Sequence, residues 1–408
     1  MGFRIEQACP QCGGPIELDE TDHLIACPYC GVKSLLFTPD YFRLVLPHNA
    51  QARNIIYIPY LRLKGVVFSC AQRKVHHRIV DITHLSVPFK PFPLSLGLRP
   101  QTLKMKFVDA DMGGIFLKSF VKRSQLLTRA AKQASAGMEE KPVHRTYIGE
   151  AFNLIYLPVY IQGKTLLDAI THTALAEIPH NSKTFEPLTD TGPRWTPAFL
   201  PTLCPNCGWN LQGRGDSVVL ICTNCETAWE AVKGRLVKVA TFTVPRSQTD
   251  TVYLPFWKMA VKSRGVTLTS HADFMRFTNQ PKVIQPAWEK QELAFFSPAF
   301  KIRPKVFLHL CRQLTISQGD IGVKDRFPDK RPYPVTLPVS EAIQGIKVTL
   351  AVSAISKKKV MPLLSQIKFA IQRAELIWLP FRESVHEMIQ QDLNISINKN
   401  ALAFGRYL

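Results

Sequence analysis

Two groups of four cysteines constrain this 408-residue chain more than any other feature of its sequence. The first group is Cys9-Pro-Gln-Cys12 followed by Cys27-Pro-Tyr-Cys30, and the second is Cys204-Pro-Asn-Cys207 followed by Cys222-Thr-Asn-Cys225. Fourteen residues separate the two Cys-x2-Cys pairs in each group. This spacing is typical of a tetrahedral site with four thiolate ligands, so the sequence predicts two metal ions, with zinc favoured over iron.

The residue after each Cys-x2-Cys pair bears on how the pair folds. Glycine occupies this position after three pairs, at Gly13, Gly31 and Gly208, and glycine eases the left-handed turn that such a pair requires. Glu226 occupies it after the fourth pair. We therefore expect a less favourable turn at Glu226, with no loss of a metal ligand.

The Cys-Pro-x-Cys-Gly motifs at Cys9, Cys27 and Cys204 resemble the rubredoxin-type knuckles of the zinc-ribbon superfamily. The resemblance covers only the short segments around the two clusters. It implies two structural Zn2+ ions, because four thiolates leave no coordination position for a catalytic water. The ligands that it implies are Cys9, Cys12, Cys27 and Cys30 for one ion and Cys204, Cys207, Cys222 and Cys225 for the other.

The remaining cysteines, Cys70 and Cys311, stand alone in apolar surroundings, so the sequence suggests no disulfide framework. We expect a reducing compartment and a cytoplasmic protein. The first residues carry Arg4 and Glu6 without an apolar run, which argues against an export signal. No stretch reaches about 18 uninterrupted apolar residues, so no transmembrane segment is predicted.

The chain is strongly basic, with a formal net charge of +20. Eight thiolates would remove eight charges and two dications would return four, which leaves about +16. Such a balance favours an anionic partner: nucleic acid, an acidic protein surface or the anionic face of a membrane. The candidate partner-binding cations are Arg99, Lys104, Lys106, Lys118, Lys122, Arg123, Lys301, Arg303 and Lys305.

Two further motifs recur after each cysteine cluster. Residues 55–60 (IIYIPY) match residues 251–256 (TVYLPF), and residues 154–158 (LIYLP) match residues 376–380 (LIWLP). The sequence therefore predicts an internal duplication with a cysteine cluster at the head of each half. The fold class that follows is α+β, mostly antiparallel strands with a few helices.

The predicted domain boundaries follow the repeat and a proline-rich join. They are a zinc ribbon at 1–40, a β-rich α+β domain at 41–180, a proline-rich linker at 181–200, a second zinc ribbon at 201–240, and a second β-rich domain at 241–408 with an insertion near 323–338.

The recurring motif centres on an aromatic residue, at Tyr57, Tyr156, Tyr253 and Trp378. Its β-branched and aromatic neighbours predict strands, and we interpret the four aromatics as core residues rather than as a platform for stacked bases. Helices are predicted at 114–136 and 362–376, and after the Leu-Pro motifs at 165–177 and 383–392.

No phosphate-binding glycine loop or catalytic triad order is present, so we expect a protein that is not an enzyme. The favoured hypothesis is a zinc-binding scaffold or adaptor that binds other proteins in a larger assembly. The alternative is nucleic-acid binding through the basic β-rich surface. A third hypothesis places the basic segment 114–136 on an anionic membrane as a peripheral contact.

Overall fold

The computed structural model describes residues 2–50, 54–71, 74–89, 91–178, 182–192, 195–245, 250–318, 327–328 and 332–406. The chain divides into two compact units. The first contains Met1–Lys64, Val80–Gln133 and Glu150–Pro201, and the second contains Gly65–Ile79, Ala134–Gly149 and Thr202–Leu408.

Strands dominate the first unit, and three of them (β6, β7 and β10) continue into segments of the second. The strands are β1 (Arg4–Ala8), β2 (Pro15–Asp19), β3 (Leu24–Ala26), β4 (Lys33–Phe37), β5 (Phe42–Val45), β6 (Ile55–Ala71), β7 (Lys74–Leu85), β8 (Met105–Phe107), β9 (Ile115–Phe116), β10 (His144–Gln162), β11 (Thr165–Asp168), β12 (Ala174–Glu177) and β13 (Ala198–Pro201). The helices are α1 (Arg99–Thr102) and α2 (Arg123–Ala134), and a 3-10 helix covers Ser182–Leu188.

Most of the helices belong to the second unit. Its strands are β14 (Val219–Cys222), β15 (Thr227–Val232), β16 (Arg235–Val239), β17 (Thr241–Thr243), β18 (Thr251–Arg264), β19 (Ala294–Pro298), β20 (Lys368–Glu383), β21 (Glu387–Gln390) and β22 (Ile395–Asn398). Its helices are α3 (His271–Thr278), α4 (Pro286–Lys290), α5 (Pro304–Ser317), α6 (Val339–Gln344), α7 (Ile346–Ser353), α8 (Lys357–Val360) and α9 (Lys399–Gly405), with a 3-10 helix at Met361–Ser365. The predicted α+β class with a majority of strands is confirmed.

Each unit contains a sheet built around a pair of long strands. In the first unit the path is β12-β11-β10-β5-β8-β1-β2, with β6 paired to β10, β7 and β9. In the second the path is β19-β18-β20-β21-β22, with β17 paired to β20. Small separate sheets, β13-β4-β3 and β14-β15-β16, carry parts of the cysteine clusters.

The pairing of a short parallel strand with a long strand has the same register in both units. In the first unit β5 is parallel to β10, with Val45 opposite Tyr156. In the second unit β17 is parallel to β20, with Thr243 opposite Trp378. In both, the amide of the residue after the short strand donates to the carbonyl of that aromatic residue at 3.1 Å. The two sequence motifs therefore occupy equivalent positions in their sheets.

The four aromatic residues of the recurring motif are buried strand residues, as predicted. Tyr57, Tyr156, Tyr253 and Trp378 are at most 5% exposed and lie in β6, β10, β18 and β20. A solvent-facing platform for stacked bases is therefore wrong for these residues. They belong to the cores instead.

The prolines of this motif lie inside long strands. Because proline has no N–H to donate, it fits only where the neighbouring strand offers no carbonyl that needs a donor. Pro255 marks such a place in β18, because pairing with β19 begins at the next residue, Phe256. The carbonyl of Pro255 accepts from the amide of Ala299 at 3.0 Å, and the carbonyl of Pro59 accepts equivalently from Ser86 at 2.9 Å.

Only about half of the predicted helix at 114–136 is helical, because α2 covers 12 residues, Arg123–Ala134. Residues 115–116 form β9, which runs parallel to β6, and the helix begins only at Arg123. Gly114 explains the start, because its φ is +107° and a β-carbon there would lie 2.7 Å from the carbonyl oxygen of Ile55. The backbone passes too close to β6 for a helix to begin at that point.

The other predicted helices are wrong. The segment 362–376 is a 3-10 helix followed by β20, because β18 pairs with β20 from Lys368 to Arg382 and long-range pairing outweighs the helical spacing of its apolar residues. The segments after the Leu-Pro motifs form hairpins, β11 with β12 and β21 with β22.

Part of the predicted insertion at 323–338 lies outside the described residues, and so does part of the predicted linker at 181–200. Within the described ranges, none of the helices combines the length and apolarity that crossing a membrane requires.

Candidate metal centres

The first cysteine cluster forms where two hairpins end. One hairpin pairs β1 with β2 and the other pairs β3 with β4, and a Cys-x2-Cys pair makes the turn of each. We call each such turn a knuckle; the first cluster contains knuckles 9–14 and 27–32. Strands β2 and β3 flank the acidic turn 19–22 and belong to different hairpins.

The second cluster contains knuckles 204–209 and 222–227. The knuckle at 222–227 joins β14 to β15. In all four knuckles the residue before the first cysteine pairs with the residue seven positions further along, and the pairs are Ala8 with Pro15, Ala26 with Lys33, Leu203 with Asn210, and Ile221 with Ala228. Identical spacing in sequence therefore produces one backbone geometry four times.

The sulfur atoms converge in both clusters. The Sγ atoms of Cys9 and Cys30 are 3.8 Å apart and those of Cys12 and Cys27 are 3.7 Å apart. In the second cluster the corresponding distances are 3.6 Å for Cys204 with Cys225 and 3.5 Å for Cys207 with Cys222.

These separations suit a tetrahedral ion. Sulfur atoms about 2.3 Å from a central zinc lie about 3.8 Å from one another in a tetrahedron. All four donor atoms of each cluster lie within 4.8 Å of one another. The eight predicted ligands thus form two groups that could each hold a metal ion, and both groups fit a four-thiolate site.

Backbone amides favour thiolates in the knuckles. The pKa of Cys27 is lowered to about 6, chiefly because the amide N–H of Cys30 donates to its sulfur. Burial would raise the pKa of Cys204, but the amides of Asn206 and Cys207 outweigh it and lower the value to about 6. Burial raises the pKa of Cys222 to about 12, so a full set of four thiolates requires a bound cation.

A hydroxyl group supports the second cluster from outside the ligand set. The Oγ1 atom of Thr227 lies 3.1 Å from Sγ of Cys225 and 3.7 Å from Sγ of Cys204. The indole N–H of Trp229 donates to the same oxygen at 2.9 Å. Once the cysteines are deprotonated their sulfurs only accept, so the hydroxyl of Thr227 would donate to a sulfur. Val32 stands at the matching position of the first cluster and is 40% exposed.

The fourth knuckle adopts the strained turn that its sequence predicts. Glu226 has a φ of +52°, whereas Gly13, Gly31 and Gly208 have φ of +70° to +73°. The turn is therefore made without glycine at a cost in conformational energy.

Four of the nine predicted partner-binding cations face carboxylates within their own unit. Arg99 in α1 contacts the buried Asp168 at 2.5 Å, Lys104 contacts Glu17 at 2.9 Å, and Lys106 lies 3.8 Å from Glu6. Arg123 pairs with Glu150 and lies over the ring of Phe152. Within the described ranges, ion pairs do not include Lys118, Lys122, Lys301, Arg303 and Lys305.

The acidic turn of the first cluster is largely neutralised by the same unit. Glu20 is buried and contacts Lys64 at 2.9 Å and Arg62 at 3.3 Å, while Arg62 also contacts Asp81 at 2.7 Å. Glu17 is held by Arg4 and Lys104, which lower its pKa. Sequence reasoning missed this buried network because its members are far apart in the chain.

Cys70 and Cys311 are fully buried, and burial raises the pKa of each thiol to about 12. Both are therefore poor nucleophiles, in keeping with the prediction that they stand alone in apolar surroundings.

No protein-family model, curated protein or solved structure matches this chain.

Proposed function

We propose that the protein is a zinc-binding, non-catalytic scaffold or adaptor that belongs to a larger, cytoplasmic protein assembly. The observation that carries this proposal is the closed geometry of the two cysteine clusters. Four converging sulfurs complete a tetrahedron around an ion and leave no position for substrate or water. The metal then stabilises small knuckles that could not bury a core of their own.

Zinc is the metal that this donor set favours. Four thiolates in tetrahedral geometry are the typical ligand set of structural Zn2+, and iron is the main competitor for the same set. Metal analysis of the purified chain should give two zinc ions per chain. Chelation should abolish the dispersion of the amide signals from both clusters; iron in place of zinc, or spectra unchanged by chelation, would contradict the assignment.

The body of the protein is proposed to be an internal duplication of a ribbon followed by a β-rich module. The equivalent registers of β5 with β10 and of β17 with β20 support it. A second parallel supports it independently, since the carbonyl of Tyr57 accepts from Leu117 at 3.0 Å and that of Tyr253 accepts from Tyr333 at 2.8 Å. Two copies of one module give a scaffold two related surfaces.

Nucleic-acid binding is the second candidate, favoured by the exposed basic face of α2. Arg129 and Lys132 are exposed in α2 and Lys122 is exposed immediately before it, while Leu126 and Ala130 are buried. The same face would suit a peripheral contact with anionic lipid. The internal pairing of Arg99, Lys104, Lys106 and Arg123 weighs against a continuous phosphate-binding surface.

The experiment that separates these candidates is native purification of the tagged chain with nuclease treatment, at about 150 mM salt. A scaffold should retain stoichiometric protein partners. A nucleic-acid-binding protein should instead retard a polynucleotide at about 50 mM salt and release it by about 200 mM. Retardation of this kind without any protein partner would refute the scaffold. Flotation with anionic vesicles tests the lipid contact.

A further inference from the structure

Large aromatic side chains are exposed at both cysteine clusters, although the knuckles are otherwise small. Tyr29 is 67% exposed in the first cluster and Trp209 is 55% exposed in the second. Each is accompanied by an exposed aliphatic residue, Val32 and Leu203 respectively. Exposed tyrosine and tryptophan are the residue types that most often anchor protein interfaces.

The two clusters provide their aromatic residue from different knuckles. Tyr29 follows Cys27 by two positions, and a β-carbon on Gly14 would lie 2.7 Å from its ring. In the second cluster the position of Gly14 is taken by Trp209 and the position of Tyr29 by Asn224. Each cluster therefore pairs one large aromatic with one small or polar residue at facing positions.

We use the term knuckle face for a set of exposed residues in and beside the knuckles of each cluster. The first face contains Gln11, Cys12, Tyr29, Cys30 and Val32, and the second contains Leu203, Asn206, Cys207, Trp209 and Asn224. The aromatic residue lies in a different knuckle in each cluster, but each face has one. We infer that the face uses an exposed ring and does not depend on its backbone position.

The charge of the knuckle faces determines which partner they suit. The four knuckles contain no Lys or Arg, and their only charged side chain is Glu226. Four thiolates around a dication add a formal charge of about −2 at each site. Each face is therefore a small anionic patch on the surface of a strongly basic chain. Phosphate is disfavoured there, because binding of single-stranded nucleic acid combines aromatic stacking with cations along the backbone.

An aromatic ring beside an anionic centre binds a cationic side chain well. The guanidinium of arginine stacks on the faces of tyrosine and tryptophan, and the nearby thiolates add electrostatic attraction. The exposed amides of Gln11 and Asn224 provide hydrogen-bonding groups for the backbone of a bound segment, whereas the amide of Asn206 is hydrogen-bonded to the sulfur of Cys225.

We propose that each knuckle face docks a segment of a partner protein that carries arginine or lysine, with Tyr29 or Trp209 stacking against the cation. This inference rests on the proposed scaffold function and specifies its binding surface. A second copy of the chain is a weaker candidate, because two strongly basic molecules repel each other.

The test places a photoreactive benzophenone amino acid at position 29 or 209 of the full-length chain in its native cells. Phe404, which is 60% exposed in α9, provides the matched control position. The expected result is a crosslink from positions 29 and 209, not from 404, to a protein segment with arginine or lysine within a few residues. A crosslink to nucleic acid or to a second copy, or none above the control, would overturn the proposal.

The captured segment is then made as a synthetic peptide and its binding to the full chain is measured. Tyr29→Ala or Trp209→Ala should weaken binding about tenfold or more at the corresponding face, whereas Phe404→Ala should not. Replacement of the peptide's arginines by citrulline should have a similar effect. Equal binding to the aromatic variants would refute the docking surface. If partners co-purify undiminished with both variants, only the surface is wrong; if none co-purifies with the wild type, the scaffold itself fails.

Discussion

Replacement of Thr227 by valine should weaken the second metal centre while leaving the first unchanged. The hydroxyl lies 3.1 Å from the sulfur of Cys225, and valine keeps the shape of the side chain but removes this contact. A hydrogen bond to a charged acceptor contributes about 1.5 to 3 kcal/mol. Loss of a group that supports a metal ligand commonly lowers metal affinity about 10- to 100-fold.

A second effect of the same substitution acts on folding. The indole N–H of Trp229 loses its acceptor at 2.9 Å, and Trp229 is only 8% exposed. A buried donor without a partner costs about 1 to 3 kcal/mol. Both effects act on the hairpin of β14 and β15. The metal affinity of the second cluster should therefore fall nearer 100-fold than 10-fold.

Competition with a chromophoric chelator measures the two zinc affinities in the full chain. Cadmium-113 spectra should give one resonance for each four-thiolate site, so the weakened site can be assigned. Thr227→Ser keeps the hydroxyl and should restore most of the affinity. Val32→Thr places a hydroxyl at the matching position of the first cluster, where water competes for it, and should change affinity little.

Equal weakening of both sites by Thr227→Val would refute the reasoning, since it would indicate general destabilisation. Unchanged affinity at both sites would also refute it, because the hydroxyl would then contribute nothing to the thiolates.

The remaining predictions concern stability, measured by chemical unfolding of the metal-loaded chain. Glu226→Gly should stabilise the fourth knuckle by about 1 kcal/mol, and Gly208→Ala should destabilise its neighbour by a similar amount, because both positions have positive φ. Arg62→Met should cost about 3 kcal/mol or more, because it leaves the buried carboxylate of Glu20 with one cation fewer. Ser270→Ala should cost about 1 kcal/mol by removing the capping box of α3. Burial opposes ionisation of Asp273, but hydrogen bonds in that box outweigh it and lower its pKa from 3.8 to about 2. The lowered pKa adds stability above about pH 4 that disappears toward pH 2, so the difference between wild type and Asp273→Asn should shrink over that range.

Features that depend on neighbouring residues could be predicted from the sequence. The spacing of the cysteines is sufficient to predict both groups of converging sulfurs, and the missing glycine at Glu226 correctly predicts a positive φ at a non-glycine residue. The strands around Tyr57 and Trp378 were also correctly predicted, because continuous β-branched and aromatic runs suit a buried strand.

Features that depend on distant residues could not be predicted. The segment that contains β20 has apolar residues at helical spacing, and only its pairing with β18 makes it a strand. The pairing of Glu20 with Arg62 spans 42 positions and leaves no local pattern. The support that Thr227 gives to Cys225 had a faint signal, a threonine two residues after the last ligand with a tryptophan two residues later, but hydrogen bonding between them depends on the hairpin.

The differences between the two clusters bear on how the proposed scaffold would work. The second cluster has a buried hydroxyl donor against its sulfurs, whereas the first has Val32 in its place and two exposed ligands, Cys12 and Cys30. The first metal should therefore be lost to a chelator before the second, because its thiolates are more accessible and less supported. If a partner segment covers the first knuckle face, it also shields those exposed sulfurs, so binding there should slow metal release. Docking and metal retention would then be coupled in the first module and largely independent in the second.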